Sequence, residues 1–310
     1  MWKLFGGIFL GWGLGSNDFA NIFGTSVATG LIRYRRAVLL CSVFLLLGAA
    51  IEGPKCMTTM GTLSTLSDTT ACICTFSAAL VIAGLTWLAL PASTCQAIVG
   101  AILGAGLVSG TTDLGKFYKI LACWVLTPLG AILFSMLLYR LLGLLFNRFL
   151  RDIYRRQMVL TAGIVIAGSY GSYTFGANNV ANITGVYAGS GMLSPFTAAL
   201  IGGASMALGV ITYSYKVMET VGKKVVPLDA FSAFVATMAN ALTLHLFTQV
   251  GVPVSSTQAI IGAVIGIGIT KDYRTVSSKI LFQIGAGWLL TPLSAGLLTY
   301  GLIQLLVPAG

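Results

Sequence analysis

The chain has eight acidic residues and one histidine in 310 positions, so an acid inside an apolar stretch stands out. Asp18 is such an acid, in Gly15-Ser16-Asn17-Asp18-Phe19-Ala20-Asn21-Ile22-Phe23-Gly24. Only about ten apolar residues precede this motif, roughly 15 Å of helix, which places it near the middle of a bilayer. A carboxylate at that depth is costly and functional by default. With Asn17 and Asn21 it offers hard oxygen ligands, suited to Na⁺ at Asp18 or to proton exchange. The alternative is a structural carboxylate satisfied by neighbouring hydroxyls. The pattern returns at Gly176–Gly185, an offset of 161 (15 to 176), with Asn178, Asn179 and Asn182. Asn179 replaces the acid. Glycines at both ends of the first motif favour a broken helix whose freed backbone groups meet a ligand or a cavity.

A second pair carries a different chemistry. Pro91-Ala92-Ser93-Thr94-Cys95-Gln96 returns as Pro253-Val254-Ser255-Ser256-Thr257-Gln258, an offset of 162 (91 to 253). Proline suits the first turn of a helix, and Ser or Thr there caps free amides. A helix N-terminus with exposed N–H groups and hydroxyls binds anions without a lysine. Ser93, Thr94, Ser255, Ser256 and Thr257 can therefore surround a tetrahedral oxyanion from two related directions. Ordinary capping and Ser/Thr packing between membrane helices is the bland alternative, and the repeat favours the site. Gln96 and Gln258 can orient a ligand but cannot shuttle protons. A third pair, Trp124–Leu129 and Trp288–Leu293, is offset by 164 (124 to 288). Its Thr-Pro dipeptides predict kinks, with the threonine bonding a freed carbonyl.

These residues need membrane helices to position them. The chain is 56% hydrophobic and 8% charged, against roughly a quarter charged in a soluble domain. Apolar runs recur without the alternation of barrel strands, so the fold class is an all-α membrane protein. Ten transmembrane segments are expected: 4–30, 37–51, 72–90, 91–108, 117–146, 158–186, 194–213, 230–249, 253–270 and 279–307. The three offsets divide the chain into a first repeat (1–147), a basic cytoplasmic linker (148–157) and a second repeat (158–310). Five segments per half make the repeats inverted, an arrangement by which many secondary transporters open a central site to either side. Segments 91–108 and 253–270 either span or re-enter, and the charge count favours spanning. Arg33, Arg35, Arg36, Arg148, Arg151, Arg155, Arg156, Lys216, Lys223, Lys224, Lys271, Arg274 and Lys279 fall on one side. The positive-inside rule makes that side cytoplasmic and puts both termini outside the cytoplasmic (inner) membrane. Met1–Trp12 lacks a small-residue cleavage site and reads as part of the mature fold.

The remaining candidates are weaker. The formal charge of +10 sits in short clusters between apolar segments, which reads as topology signal and not as a nucleic-acid surface. Six cysteines, all in the first half, read as small buried hydrophobes, with no metal assigned. His245, alone on an apolar segment, reads as a buried structural histidine. Glu52 and Glu219 read as interfacial, Glu219 in a loop with Lys223. No Walker motif, Ser–His–Asp set, zinc-ligand spacing or dinucleotide fingerprint occurs, so ATP-driven pumping and enzymatic chemistry have no support. That leaves ion-coupled transport of an oxyanion, with a passive anion channel and a membrane-embedded sensor as alternatives.

At these residues the sequence resembles the inorganic phosphate transporter (PiT) family of phosphate and sulfate permeases. Gly15–Thr25 and Gly176–Gly185 are similar to its G-A-N-D-x-A-N-x-x-G-T signature, and Pro91–Gly100 and Pro253–Gly262 to its P-[VI]-S-T-T-H-A-I-x-G signature. The departures are Asn179 for Asp, and Gln96 and Gln258 for His. The resemblance implies phosphate import by Na⁺ or H⁺ symport through alternating access, with no other cofactor, and often a homodimer in the lipid. It implies phosphate on Ser93, Thr94, Ser255, Ser256 and Thr257. Asn17, Asp18, Asn21, Asn178, Asn179 and Asn182 would serve the cation and substrate sites. A site poorer in acids suits fully deprotonated sulfate, so a sulfate permease is the alternative within the family.

Overall fold

A computed structural model describes residues 2–87, 92–222, 228–271 and 278–307. Among them every regular element is helical. Helix α1 (Phe5–Phe19) runs through a π-helical turn (Ala20–Gly24) into the short α2 (Thr25–Ala28). Next come α3 (Tyr34–Glu52), α4 (Pro54–Gly61), α5 (Asp68–Trp87), α6 (Thr94–Ser109) and α7 (Leu114–Phe149). The second half contains α8 (Ile153–Gly189), α9 (Pro195–Gly222), α10 (Ala230–Val250), α11 (Ser256–Lys271) and α12 (Ser278–Leu306). Seven of these are long and apolar enough to cross a membrane: α3, α5, α7, α8, α9, α10 and α12.

Burial follows the pattern expected in lipid, where apolar side chains gain nothing by hiding and polar ones must. On α7, Thr127, Ala131 and Ser135 are fully buried while Leu126, Leu129, Leu133 and Leu137 are exposed. Small residues on the inner face let the helix backbones approach, and leucines face the acyl chains. The protein is a multi-pass membrane protein.

The helices differ from the ten expected segments in two ways. First, α6 and α11 have 16 residues each, about 24 Å at 1.5 Å per residue, short of the roughly 20 residues a span needs. Helix α6 starts just after the buried Ser93 and α11 at the buried Ser256. Pro253 lies ahead of α11 and is not its first residue; Pro91, with Lys223, Lys224 and Arg274, lies outside the described residues. Second, most of 148–157 is helical: α7 and α8 have 36 and 37 residues and leave only 150–152 between them. Asp152 caps α8 by accepting from the Tyr154 amide at 3.0 Å. Glu219 is likewise inside α9 and not in a loop.

The helices pack in crossed pairs. A Cβ on Gly15 of α1 would overlap the Met206 backbone of α9, and one on Gly176 of α8 would overlap the Leu45 backbone of α3. Gly209 meets Trp12, and Gly48 meets Tyr173. Each contact maps onto its counterpart at the sequence offset of 161. Gly100 of α6 likewise lies against Pro292 of α12, as Gly262 of α11 lies against Pro128 of α7. At the Thr-Pro sites Thr127 Oγ1 donates to the Cys123 carbonyl and Thr291 Oγ1 to that of Gly287, both at 2.6 Å; these are the carbonyls four residues before each threonine, and not the expected freed ones, which belong to Trp124 and Trp288. In every pair a helix of one half packs on a helix of the other. At one end of the bundle, Asp229 caps α10 and pairs with Lys271 at the end of α11. Burial opposes its charge, but the bonds from Lys271 and Ser232 hold its carboxyl below the ordinary range.

Candidate functional site

Asp18 is 4% exposed and lies two residues before the π-helical turn that follows α1. A π turn widens the helix locally and re-aims side chains, and such turns recur at functional sites. The expected break is therefore one wide turn with the axis continuous. The Ser256 hydroxyl donates to Asp18 Oδ2, and Asn17 Nδ2 donates to Oδ1 at 3.2 Å. One turn on, Asn21 Nδ2 donates to Thr257 Oγ1 at 3.4 Å. The first signature of one half is thus bonded directly to the helix start of the other. Among the described residues no lysine or arginine pairs with Asp18. A carboxylate removed from water needs a counter-charge or a proton, and the surrounding hydroxyl and amide groups supply neither. The donor set fits a small hard cation: the Asp18 carboxylate, the Ser256 hydroxyl and nearby carboxamide oxygens would hold it.

The second signature is built differently. Helix α8 stays α-helical through Gly176–Gly185, so it has no break at all. Its glycines serve close packing, and Asn178 bonds outward. Asn178 Nδ2 donates to Thr248 Oγ1 at 3.0 Å and to the Leu244 and Val252 carbonyls at 3.4 and 3.3 Å. Asn178 Oδ1 accepts from the Val254 amide at 2.8 Å. One carboxamide therefore fixes the segment that enters α11. Asn182 Nδ2 donates to Asn179 Oδ1 at 3.1 Å, which leaves Asn179 Nδ2 and Asn182 Oδ1 buried without a partner.

The two short helices face one another at their starts, where Cys95 Sγ donates to the Pro253 carbonyl at 3.2 Å. Ser93 Oγ accepts from the Gln96 amide at 3.4 Å and Ser255 Oγ from the Gln258 amide at 3.2 Å. These two serines are N-caps, the bland alternative for their hydroxyls. Each cap satisfies one of the first-turn amides, and the helix geometry gives the others no acceptor within the helix. Thr94 is 7% exposed, and Gln96 and Gln258 are almost fully buried with their Oε1 atoms unpartnered. An orphaned buried polar atom costs about 1–3 kcal/mol. Four such atoms, on Gln96, Asn179, Asn182 and Gln258, fall within the four signature segments.

Asn240 on α10 escaped the sequence reading. It is fully buried, and neither Nδ2 nor Oδ1 has a partner. It lies between Thr237, which donates to the Ile22 carbonyl at 3.3 Å, and Leu244, whose carbonyl takes Asn178. The corresponding positions of the first half are Ala78 and Ala79, so no repeat marks it. All six cysteines are free thiols, and only Cys72 is less than fully buried.

The profile of the phosphate transporter family matches the chain at residues 14–166 and 147–299. The sulfate permease CysP of Bacillus subtilis is 28% identical over 310 residues, covering 97% of this chain and 86% of its own. The inorganic phosphate transporter 2-1 of Arabidopsis thaliana, chloroplastic, is 25% identical over 401 residues, covering 92% and 68%. A solved structure titled "The sodium-dependent phosphate transporter" superposes with a TM-score of 0.87 at 24% identity, covering 99% of this chain and all of that one. The architecture is that of the solved structure, the family profile covers nearly the whole chain, and the protein belongs to the phosphate transporter family.

Proposed function

We propose that the protein imports inorganic phosphate across the cytoplasmic membrane by symport with Na⁺ or H⁺. Two inverted repeats, in ten segments counting the short helices and with both termini outside, move about a central site. The observation that carries this reading is the hydrogen bond from Ser256 to Asp18. It joins the buried acid of one repeat to the anion-binding helix start of the other. A cation at Asp18 supplies the positive charge that the oxyanion lacks in a site without lysine or arginine. Each ligand then offsets the desolvation cost of the other, which is the physical basis of symport. The oxyanion itself is met by first-turn amides of α6 and α11, by Thr94 and by the carboxamides of Gln96 and Gln258. The inverted-repeat reading is supported by the reciprocal glycine contacts, and the sodium dependence named for the solved relative supports Na⁺ as the coupling ion.

Sulfate is the second reading. It is favoured by the second signature, where Asn179 replaces an acid that would accept the proton of hydrogen phosphate, and by the Bacillus relative's name. The test is uptake of radiolabelled phosphate and sulfate into proteoliposomes under imposed Na⁺ and pH gradients, each anion competing with the other. Gradient-driven phosphate accumulation that excess sulfate does not displace is expected. Sulfate accumulation untouched by phosphate replaces phosphate as the substrate, and unsaturable flux indifferent to both gradients overturns symport in favour of a channel.

A further inference from the structure

The sole histidine belongs to a cluster that the transport site does not use. Glu52, the last residue of α3, accepts at Oε1 from Tyr173 at 2.9 Å and at Oε2 from Gln249 at 2.6 Å and Lys55 at 3.1 Å. Lys55 Nζ also donates to Gln249 Oε1 at 2.9 Å. His245 of α10 stands beside this knot: Nδ1 is 2.6 Å from the Tyr170 hydroxyl, and Nε2 is 3.7 Å from Glu52 Oε2. The groups that face the imidazole are thus Glu52 from α3, Lys55 from α4, and Tyr170 and Tyr173 from α8. Lys119 of α7 closes the end of α10 by donating to the Val250 carbonyl at 3.2 Å. Glu52 is 14% and His245 30% exposed at the side chain, so protons reach the ring while the carboxylate stays shielded.

We infer that His245 and Glu52, with Tyr170, form a proton-binding site that latches α10 to α3 and α8. Imidazole is the side-chain type that ordinarily changes charge between about pH 5 and 8. A separation of 3.7 Å is longer than an N–H···O bond. Protonation gives both ring nitrogens a hydrogen to donate and turns a dipole facing Glu52 into a cation facing it. The ring then draws toward the carboxylate and ties three helices together. Helix α10 carries the consequence inward. His245 follows Leu244, whose carbonyl takes Asn178 Nδ2, and precedes by three residues Thr248, whose hydroxyl takes the same amide. Asn178 in turn holds Val254 at the entrance to α11. Protonation thus stabilises the arrangement in which these bonds are made and slows the cycle. This site is distinct from the coupling-ion site at Asp18, and only its flux readout rests on the transport reading.

The test compares wild type with His245→Gln in proteoliposomes, taking up phosphate or sulfate at pH values from about 5.5 to 7.5. Substrate titration affects both proteins alike, so the ratio of wild-type to variant uptake isolates the ring. That ratio is expected to fall about threefold toward the acid end, the size of a partly exposed ion pair. A ratio that stays constant or rises overturns the proposal. In parallel, the ring ¹⁵N signals of the only histidine are followed in lipid nanodiscs of wild type and Glu52→Gln. A single protonation step in those signals that Glu52→Gln displaces is expected. Signals that do not respond to pH, or a step that Glu52→Gln leaves in place, overturn the proposal even if neither anion is transported. Absence of all uptake with a displaced step refutes the transport reading and leaves the proton site standing.

Discussion

At Asp18 the first signature holds an acid, a widened helical turn and bonds to Ser256 and Thr257 of the opposite half. At Asn179 the second holds an amide on an uninterrupted α-helix, bonded within its own helix to Asn182. The two copies share their pattern and packing glycines, yet one carries charge and the other carries structure. Asn17 and Asn178 occupy corresponding positions and show the same split: Asn17 is half-buried and supports Asp18, whereas Asn178 is fully buried and satisfied by α10 and the segment before α11. A duplicated motif can therefore divide its labour by exchanging a single acid for its amide.

Six substitutions test that division. Asp18→Asn makes the copies alike in charge and should lower gradient-driven uptake about 100-fold, as expected for removing a buried, hydrogen-bonded charge, while abolishing the Na⁺ or pH response. Unchanged uptake and response in proteoliposomes would break the comparison outright. Asn178→Ala should destabilise by about 2–3 kcal/mol, since it takes their side-chain partner from the Val254 amide and the Val252 carbonyl. Asn17→Ala should cost under about 1 kcal/mol; equal shifts in thermal unfolding in detergent would erase the asymmetry. Ser256→Ala should weaken the apparent cation affinity about tenfold through loss of a hydrogen bond to a charged group. Ser255→Ala, which removes only a cap, should leave that affinity in place and cost about 1 kcal/mol of stability. Asn240→Ala should raise stability by a few tenths of a kcal/mol by removing orphaned polar atoms. A simultaneous fall in uptake would assign Asn240 to the substrate route, and full uptake would exclude it.

The sequence made legible whatever the duplication marked. Helical class, the four signature segments and the Thr-Pro sites all repeat in order, and repetition distinguishes them from apolar background. Lengths were less legible. The residues 148–157 are basic, but basic residues continue a helix beyond the lipid as readily as they end one, so α7 and α8 run further than composition suggests. The short α6 and α11 could not be told from spans, because the residues around Pro91 and Pro253 stay apolar past the serine caps. Within the site, the pairing of Asp18 with Ser256 joins positions 238 residues apart and has no local signal. Asn240 was invisible for the opposite reason: an unrepeated amide among alanines resembles any small-residue packing face. His245 was read as solitary because Glu52, Tyr170 and Tyr173 come from other helices.

The crossed packing also sets a timetable for synthesis. Gly15 finds its partner backbone at Met206, 191 residues further along the chain. At roughly 5–20 residues per second, the ribosome needs about 10–40 s to deliver that partner. During this interval the Asp18 helix has neither α9 beside it nor Ser256 to donate to its acid. The emerging first half therefore has to be kept from aggregating, or from slipping back out of the bilayer, until the second half arrives.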